Sequence, residues 1–496
     1  MATPAQTGPV LLERNGTFWC VAALIGLLFA CTNLPWHLDD YDQAKQAFTS
    51  FEMVQEGHWL YQHTPNEKIA TKPPLVGWVS AVCYGITRSW EIAWRLPSIA
   101  AAIVLLMVLA RVAGRAYGAA AGLLAAAAFG LNLLSPRLAT LVRTDMPLAL
   151  VVFLIGLQVW RKVRSAAPWR ARDRVVMFSL LTAAMLIKGP IVYAFLLPGI
   201  AAFQWRNRNA KASAWCGWWP WFASLAVFLA WAAAGIVWVP GFYEQVVLRE
   251  FAGRFGETVH RPQPLYFYFP HLLHKFAPWS ILLLAFAVLG WKAHELTLRE
   301  RGRSLSPDVV WLLFWSLGGL LVMSLIPSKR VDRIFPIVPP LCLLVAAQFG
   351  RLTQDNALAG RVRRWSALAM IFACLCTSIY ALQRIVLSLR ADEAALVRFG
   401  AEVRRQAGAK GLRYEVIGGK DEGLLLYLRR TRFINATEAA DRWRAGTLDA
   451  VVAPAEETTR LLNDLPELAS TGLEASVRIN ERARQYVLLQ REVPLP

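Results

Sequence analysis

The residues of this chain that could do chemistry stand at the ends of apolar runs. Asp39 and Asp40 follow one run directly, and Lys72 precedes Pro73-Pro74 at the start of the next. Asp145 opens another in Arg143-Thr144-Asp145-Met146-Pro147, and Lys188, before Gly189-Pro190, interrupts two more. Lys329 and Arg330 follow a later run, and a long segment from Pro240 to Ala277 holds Arg254 and His260. A carboxylate beside a pocket can deprotonate an acceptor hydroxyl, amine or phosphate. Lys and Arg can neutralise a phosphate leaving group as charge builds on it. Together they fit transfer of a sugar from a lipid phosphate, and equally a proton relay in a transporter. Placement separates the two readings. Transporters hold their charges near the bilayer midplane, whereas these cluster at one face beside long outer loops.

The elements that must position these residues are membrane helices. The 496-residue chain is 56% hydrophobic and 18% charged, with 21 Trp and a mean hydropathy of +0.37. A soluble chain of this length carries more charge. The net charge of +19 could point to nucleic acid, but the basic residues bunch in short segments between apolar runs. That distribution is a topology signal and a contact with anionic lipid. The seven Cys lie in or beside apolar runs without CxxC or Cys/His zinc spacing, so neither a disulfide framework nor a zinc site is expected. The run Thr17 to Trp36 is long for a signal-peptide core and lacks an A-x-A site, so it reads as an uncleaved span.

Apolar runs fall at 17–36, 73–88, 92–114, 118–134, 144–160, 174–188, 190–205, 218–239, 276–291, 308–326, 334–350 and 366–389, giving an expectation of 11–13 crossings. The basic segments 161–174, 205–216, 292–303 and 351–364 are separated by two runs each and belong on one side, the cytoplasm. The acidic segment 37–72, the 240–277 loop, Lys188-Gly189-Pro190, 327–333 and everything after about 390 are then outside, with the N-terminus cytoplasmic. Four runs separate the acidic segment from 161–174, where opposite sides need an odd number. Either 73–88 does not cross, or a break between 88 and 143 is misplaced.

Within the first loop, Ala44, Ala47, Phe48, Phe51 and Val54 fall on one helical face and Asp42, Lys45, Gln46 and Glu52 on the other. This reads as an amphipathic helix in the interface plane, stopped at Gly57. After residue 390 the composition turns soluble. Strands are expected at 413–418, 432–435, 449–454 and 484–490, and helices at 392–407, 421–429, 437–444 and 455–463. The expected organisation is a membrane domain, 1–390, with outer loops 37–72 and 240–277, followed by a small α/β domain, 391–496. Gly418-Gly419-Lys420 is the one glycine-rich stretch there and is too short for a phosphate loop.

With these residues in view, the chain resembles the C-type membrane glycosyltransferases that use polyprenyl-phosphate sugars, in particular the lipid A aminoarabinose transferase and protein O-mannosyltransferase superfamily. The resemblance covers roughly residues 15–350. It rests on Asp39-Asp40, Lys72-Pro73-Pro74, Arg95-Leu96-Pro97-Ser98, Arg143 to Pro147, Lys188-Gly189-Pro190, Arg254-Phe255, His260-Arg261, Pro278-Trp279-Ser280 and Ser328-Lys329, in that order. It implies a mainly α, polytopic helix bundle of the GT-C type, an active site facing the periplasm, and inverting transfer. Carried over, Asp39 is the acceptor-activating base. Lys72, Arg254 and Lys329 hold the donor phosphate, and Asp145 and Lys188 shape the cavity; Asp40 and His260 join the substrate-binding set. Asp40 replaces the family's Glu. Thr71 stands where the family has a Glu associated with metal in some members, so no metal is expected there and no cofactor is named. Arg333 replaces a Tyr and adds a cation that bears on donor or acceptor choice.

The reading is therefore an inverting glycosyltransferase of a bacterial inner membrane, monomeric, moving a sugar from undecaprenyl phosphate to lipid A, another glycan or a protein. The alternatives are a transporter or lipid flippase with a partner-binding outer domain, and a non-catalytic assembly subunit.

Overall fold

The computed structural model describes residues 12, 14–38, 41–207, 213–248, 262–292, 305–418, 421–465, 467–479 and 482–491. It divides into two compact units, one of 1–32, 71–76 and 95–382, the other of 33–70, 77–94 and 383–496.

The first unit is helical. Six helices among the described residues are long and apolar enough to cross a membrane, and the pair Tyr268–Lys275 and Trp279–Trp291, bent by 97°, makes a seventh candidate. Gly16–Cys31, Ala119–Gly130 and Ile191–Arg206 are shorter apolar helices, as is Leu75–Thr87, which belongs mostly to the second unit. Large apolar side chains point outward along these elements, including Trp238, Ile281, Leu317, Leu321, Phe372 and Ile379. Such exposure is unfavourable in water and natural in lipid, so this is a multi-pass membrane protein.

The expected run 73–88 is a helix of only 13 residues, Leu75–Thr87. It rises about 20 Å, short of the roughly 30 Å hydrocarbon core. The run 366–389 is part of one 35-residue helix, Asn356–Arg390. Its first turns take in Arg361, Arg363 and Arg364, expected as a loop, because Arg, Ala and Leu there are good helix formers.

Small residues let these helices approach. Gly118, at φ +97°, joins Leu96–Tyr117 to Ala119–Gly130 with no intervening loop. A Cβ on Gly122 would come within 2.7 Å of the Ala110 carbonyl. Ile191–Arg206 lies against Pro307–Leu325 in the same way, with Gly199 and Gly318 in backbone contact. Trp315 fills the space over Gly156 and stacks on Phe153 at 5.9 Å. Trp311 donates from Nε1 to the Gly156 carbonyl at 3.1 Å.

The second unit contains a four-stranded sheet in the order Tyr414–Val416, Ala450–Pro454, Arg482–Arg491, Leu468–Ile479. The first two strands are parallel and the other pairs antiparallel. The parallel crossover runs through helices Glu422–Leu428 and Ala436–Arg444, and Trp443, Val451, Leu461, Val487 and Leu489 fill the core. The helices Ala395–Lys410, Glu422–Leu428, Ala436–Arg444 and Ala455–Asp464 fall close to expectation. The expected strand at 432–435 is only an isolated bridge, Ile434 with Ile417. Leu468–Ile479 is a strand that sequence reading missed, because Ser, Thr, Gly and Glu break its apolar alternation. Of the glycine-rich stretch only Gly418 is described.

The helix Tyr41–Glu56 and the hairpin of His63–Thr64 with Lys68–Ile69 also belong to this unit. Asn66 donates from its amide to the Phe433 carbonyl at 3.1 Å, and Thr431 donates to Glu56 at 2.6 Å. The helix has the expected apolar face, and its polar face is covered as well. Ala44, Ala47, Phe48 and Phe51 are buried, but so are Gln43, Gln46, Thr49, Ser50 and Glu52. Both faces are covered because the helix packs inside this unit, with Phe51 edge-on to Trp90 at 5.5 Å. Gly57, at φ +84°, ends it as expected.

Candidate active site

The first unit encloses a cavity of about 310 Å³. Its polar lining is Thr71, Lys72, Lys188, Ser328 and Arg333, and its walls include Ile191, Phe228, Trp231, Met323 and Ile326. Three cations thus share a chamber with two hydroxyl side chains and mostly apolar walls. Such a space suits an anionic head on a hydrocarbon chain.

Local sequence explains how each cation arrives. Lys72 precedes Pro73-Pro74, which cannot continue a ladder or a helix and leads into the helix beginning at Leu75. Lys188 is the last residue of Ala171–Lys188. Gly189, at φ +72°, ends that helix by donating its N–H to the Met185 carbonyl at 2.8 Å. Pro190 then caps the next helix, Ile191–Arg206. Lys188 therefore sits at a helix C-terminus, where a cation is favoured. Arg333 lies in the 3-10 turn Val331–Ile337 and donates to the Ser328 carbonyl at 2.7 Å and to Ser328 Oγ at 3.0 Å.

Two ion pairs brace this arrangement. Asp145, in the first turn of Asp145–Ser165, accepts from Lys188 Nζ at 2.5 Å. Each partner stands at the helix end whose dipole favours its sign. Arg143, two residues earlier, donates to Asp332 at 2.6 Å. The Arg143-Thr144-Asp145 run thus ties the starts of two elements, Asp145–Ser165 and Val331–Ile337, to the end of a third, Ala171–Lys188. The charges of Lys72 and Arg143 also act on Asp145.

Lys329 is buried and donates to the Gln263 carbonyl at 2.8 Å, while Gln263 N–H donates to Pro327 O at 3.1 Å. Burial holds its ammonium below the ordinary lysine value. The residues of this segment that line the cavity are Ser328 and Arg333. The structure thus brings together Lys72, Asp145, Lys188 and Arg333 of the sequence-based set. Asp39, Asp40, Arg254 and His260 lie outside the described residues. Sequence reading missed Asp332, although it is the lone carboxylate in Lys329-Arg330-Val331-Asp332-Arg333. It also missed the aromatic wall of Phe228 and Trp231, which periodicity cannot tell from ordinary packing. A Cβ on Gly235 would meet the Phe242 ring at 2.8 Å, and Phe242 in turn stands edge-on to Trp231 at 5.5 Å.

Residues 71–238 match the family model described as dolichyl-phosphate-mannose-protein mannosyltransferase. The undecaprenyl phosphate-alpha-4-amino-4-deoxy-L-arabinose arabinosyl transferase 1 of Sodalis glossinidius is 26% identical over 361 residues, 70% of this chain and 61% of the relative. Its counterpart in Edwardsiella ictaluri is 24% identical over 355 residues, 69% and 61% of the two chains. The chain therefore spans about 61% of the length of these relatives. Among solved structures, ArnT from Cupriavidus metallidurans bound to undecaprenyl phosphate superposes with a TM-score of 0.67 at 18% identity, covering 97% of this chain and 98% of that one. The oligosaccharyltransferase of Archaeoglobus fulgidus in complex with Zn and sulfate reaches 0.53 at 12% identity, covering 90% and 70%. These likenesses establish a shared fold.

Proposed function

We propose that this chain acts as a polyprenyl-phosphate-sugar glycosyltransferase of the GT-C type, like the proteins it resembles, and moves a sugar from undecaprenyl phosphate to an acceptor. The observation that carries the reading is the cavity in which Lys72, Lys188 and Arg333 face apolar walls. The donor is a phosphodiester with one negative charge. As the anomeric C–O bond breaks, the leaving phosphate gains a second. Cations fixed around it bind the transition state more strongly than the ground state, which is what accelerates a reaction. Asp145 partly compensates Lys188, and Lys72 and Arg333 supply further positive charge in the same chamber. The wall of Ile191, Phe228, Trp231 and Met323 accepts the first isoprene units.

In this reading the acceptor oxygen attacks the anomeric carbon opposite the phosphate and inverts its configuration. Asp39 takes the acceptor proton and undecaprenyl phosphate leaves. The reaction belongs at the outer face of a bacterial inner membrane, in a monomer, with lipid A, another glycan or a protein as acceptor. Residues 391–496 serve as an outer domain. Lys329 and Arg254 assist the donor phosphate, and Asp40 and His260 the substrates.

The test is release of undecaprenyl phosphate from its glycosyl form by the purified, full-length protein, with mass spectrometry of envelope lipids and glycans from cells with and without the gene. A new glycosidic bond that disappears in Asp39→Asn, with unchanged membrane insertion, supports the reading. Lipid movement that depends on an ion gradient and makes no glycosidic bond supports a transporter instead.

A further inference from the structure

We propose that Glu52, His58 and His63 form a binding site for one divalent transition-metal ion of the zinc class. These three are the one group of metal-ligating side chains among the described residues whose ligand atoms all lie within 4.8 Å of one another. All belong to the second unit, and the proposal is independent of the glycosyl-transfer reading.

The local sequence builds the site from three pieces. Glu52 projects from the last turns of Tyr41–Glu56. Gly57 then turns the chain, and His58 follows at once. His63 opens the short hairpin with Lys68–Ile69. Glu52 Oε1 meets His58 Nδ1 in a short contact and lies 3.8 Å from His63 Nδ1. The imidazole centroids are 4.2 Å apart and inclined at 56°. At metal–ligand bonds of about 2.0–2.1 Å, tetrahedral ligands stand roughly 3.3 Å from each other. The Glu52–His63 spacing is within about half an ångström of that value, and the short Glu52–His58 contact would open to admit the ion.

Three further observations point to a cation. His63 Nδ1 is buried and makes no hydrogen bond, an expensive state for a ring nitrogen. Glu52 Oε2 accepts the His63 backbone N–H at 3.4 Å, which orients the carboxylate and leaves Oε1 toward both rings. Glu56 and Glu67 add negative charge from the flanks. Access is available, because the His58 side chain is 46% exposed while Glu52 and His63 are 5% and 16% exposed. Two imidazoles and one carboxylate select zinc-class ions over calcium or magnesium and leave a fourth position open. The ion would clamp residues 57–63 onto the helix that follows Asp39-Asp40.

The experiment uses the full-length protein in detergent, stripped with chelator and titrated with Co²⁺ followed by optical absorption, then displaced with Zn²⁺. One equivalent with ligand-field bands of a four- or five-coordinate ion is expected. His58→Ala, which removes an exposed side chain, and His63→Ala should each weaken binding by more than about a hundredfold, beyond the loss typical of an outer-shell partner. Zn²⁺ should raise the melting temperature of the wild type and not of H58A/H63A. A control variant, H271A/H274A, removes the histidine pair on the Tyr268–Lys275 helix and should keep the full equivalent. No equivalent in the wild type, retention in H58A/H63A, or loss in H271A/H274A alone would each overturn the proposal.

Discussion

Lys188 Nζ lies 2.5 Å from Asp145 Oδ1, both side chains largely withdrawn from solvent. This pairing divides the labour among the cavity's cations. A lysine held this closely by a carboxylate adds less net attraction for a phosphate, while Lys72 and Arg333 line the same cavity. Substituting both partners, Asp145→Leu with Lys188→Met, should leave affinity for undecaprenyl phosphate within a few fold. Lys72→Met or Arg333→Met should weaken it by tenfold or more, about 1.4 kcal/mol. Asp145→Leu alone strands a buried ammonium and should cost about 3 kcal/mol of stability. Equilibrium binding of labelled undecaprenyl phosphate, with thermal melts of each variant, reads both effects. Equal losses for the double variant and for K72M would remove this division.

Asp332 supports Arg333 at one remove. Its contact with Arg143 fixes the turn from which Arg333 enters the cavity. Asp332→Asn keeps the shape and removes the charge. In glycosyl-transfer assays it should raise the donor KM by about tenfold and change kcat much less, because it loosens a positioning contact and leaves the reacting groups in place. A fall in kcat with KM unchanged would point to a direct role instead.

Much of this molecule was legible in its sequence, for definable reasons. Apolar runs announce membrane helices because lipid demands them, and Gly189-Pro190 announces a helix break that leaves Lys188 at a helix end. Most of the α/β elements after residue 390 follow from ordinary periodicity, but not the strand Leu468–Ile479, whose alternation is broken. The Arg143–Asp332 pair was not legible, since the partners are 189 residues apart and each looks like a helix-end charge. Glu52 was read as the polar face of an exposed helix. Amphipathic periodicity says which face is apolar, but not whether another element covers the polar one. His58 and His63 were overlooked with it, because their spacing matches no familiar metal motif and only the turn at Gly57 brings them round.

The contact between Ile191–Arg206 and Pro307–Leu325 depends on the absence of side chains. A Cβ on Gly199 would lie 2.8 Å from Trp315 Cα, and one on Gly318 would lie 2.8 Å from the Gly199 nitrogen. These neighbours are backbone atoms and cannot turn away. Gly199→Ala and Gly318→Ala should each cost about 1–3 kcal/mol through helix separation. Gly26→Ala, where nothing lies within 4 Å, is the matched control. Melting temperatures in detergent compare the three, and equal stability for G318A and G26A would contradict the packing.

Acid sensitivity of the α/β unit should centre on Asp449. Its hydrogen bonds with the Arg413 side chain, at 2.8 and 2.9 Å, hold its pKa down to about 2. The folded value lies below the unfolded one, so the pair stabilises the fold above the ordinary carboxylate range. That contribution is lost as pH falls from about 4 to about 2. Arg413 is more than half exposed, and solvent screening keeps the effect small. Asp449→Asn should therefore lower the denaturant midpoint of this unit at pH 7, and the difference from wild type should narrow at pH 3 and close near pH 2. Peptide-resolved hydrogen exchange over Ala450–Pro454 in the full-length protein reads that midpoint. A gap of the same size at pH 7 and near pH 2 would assign the stabilisation to packing of the side chain and not to its charge.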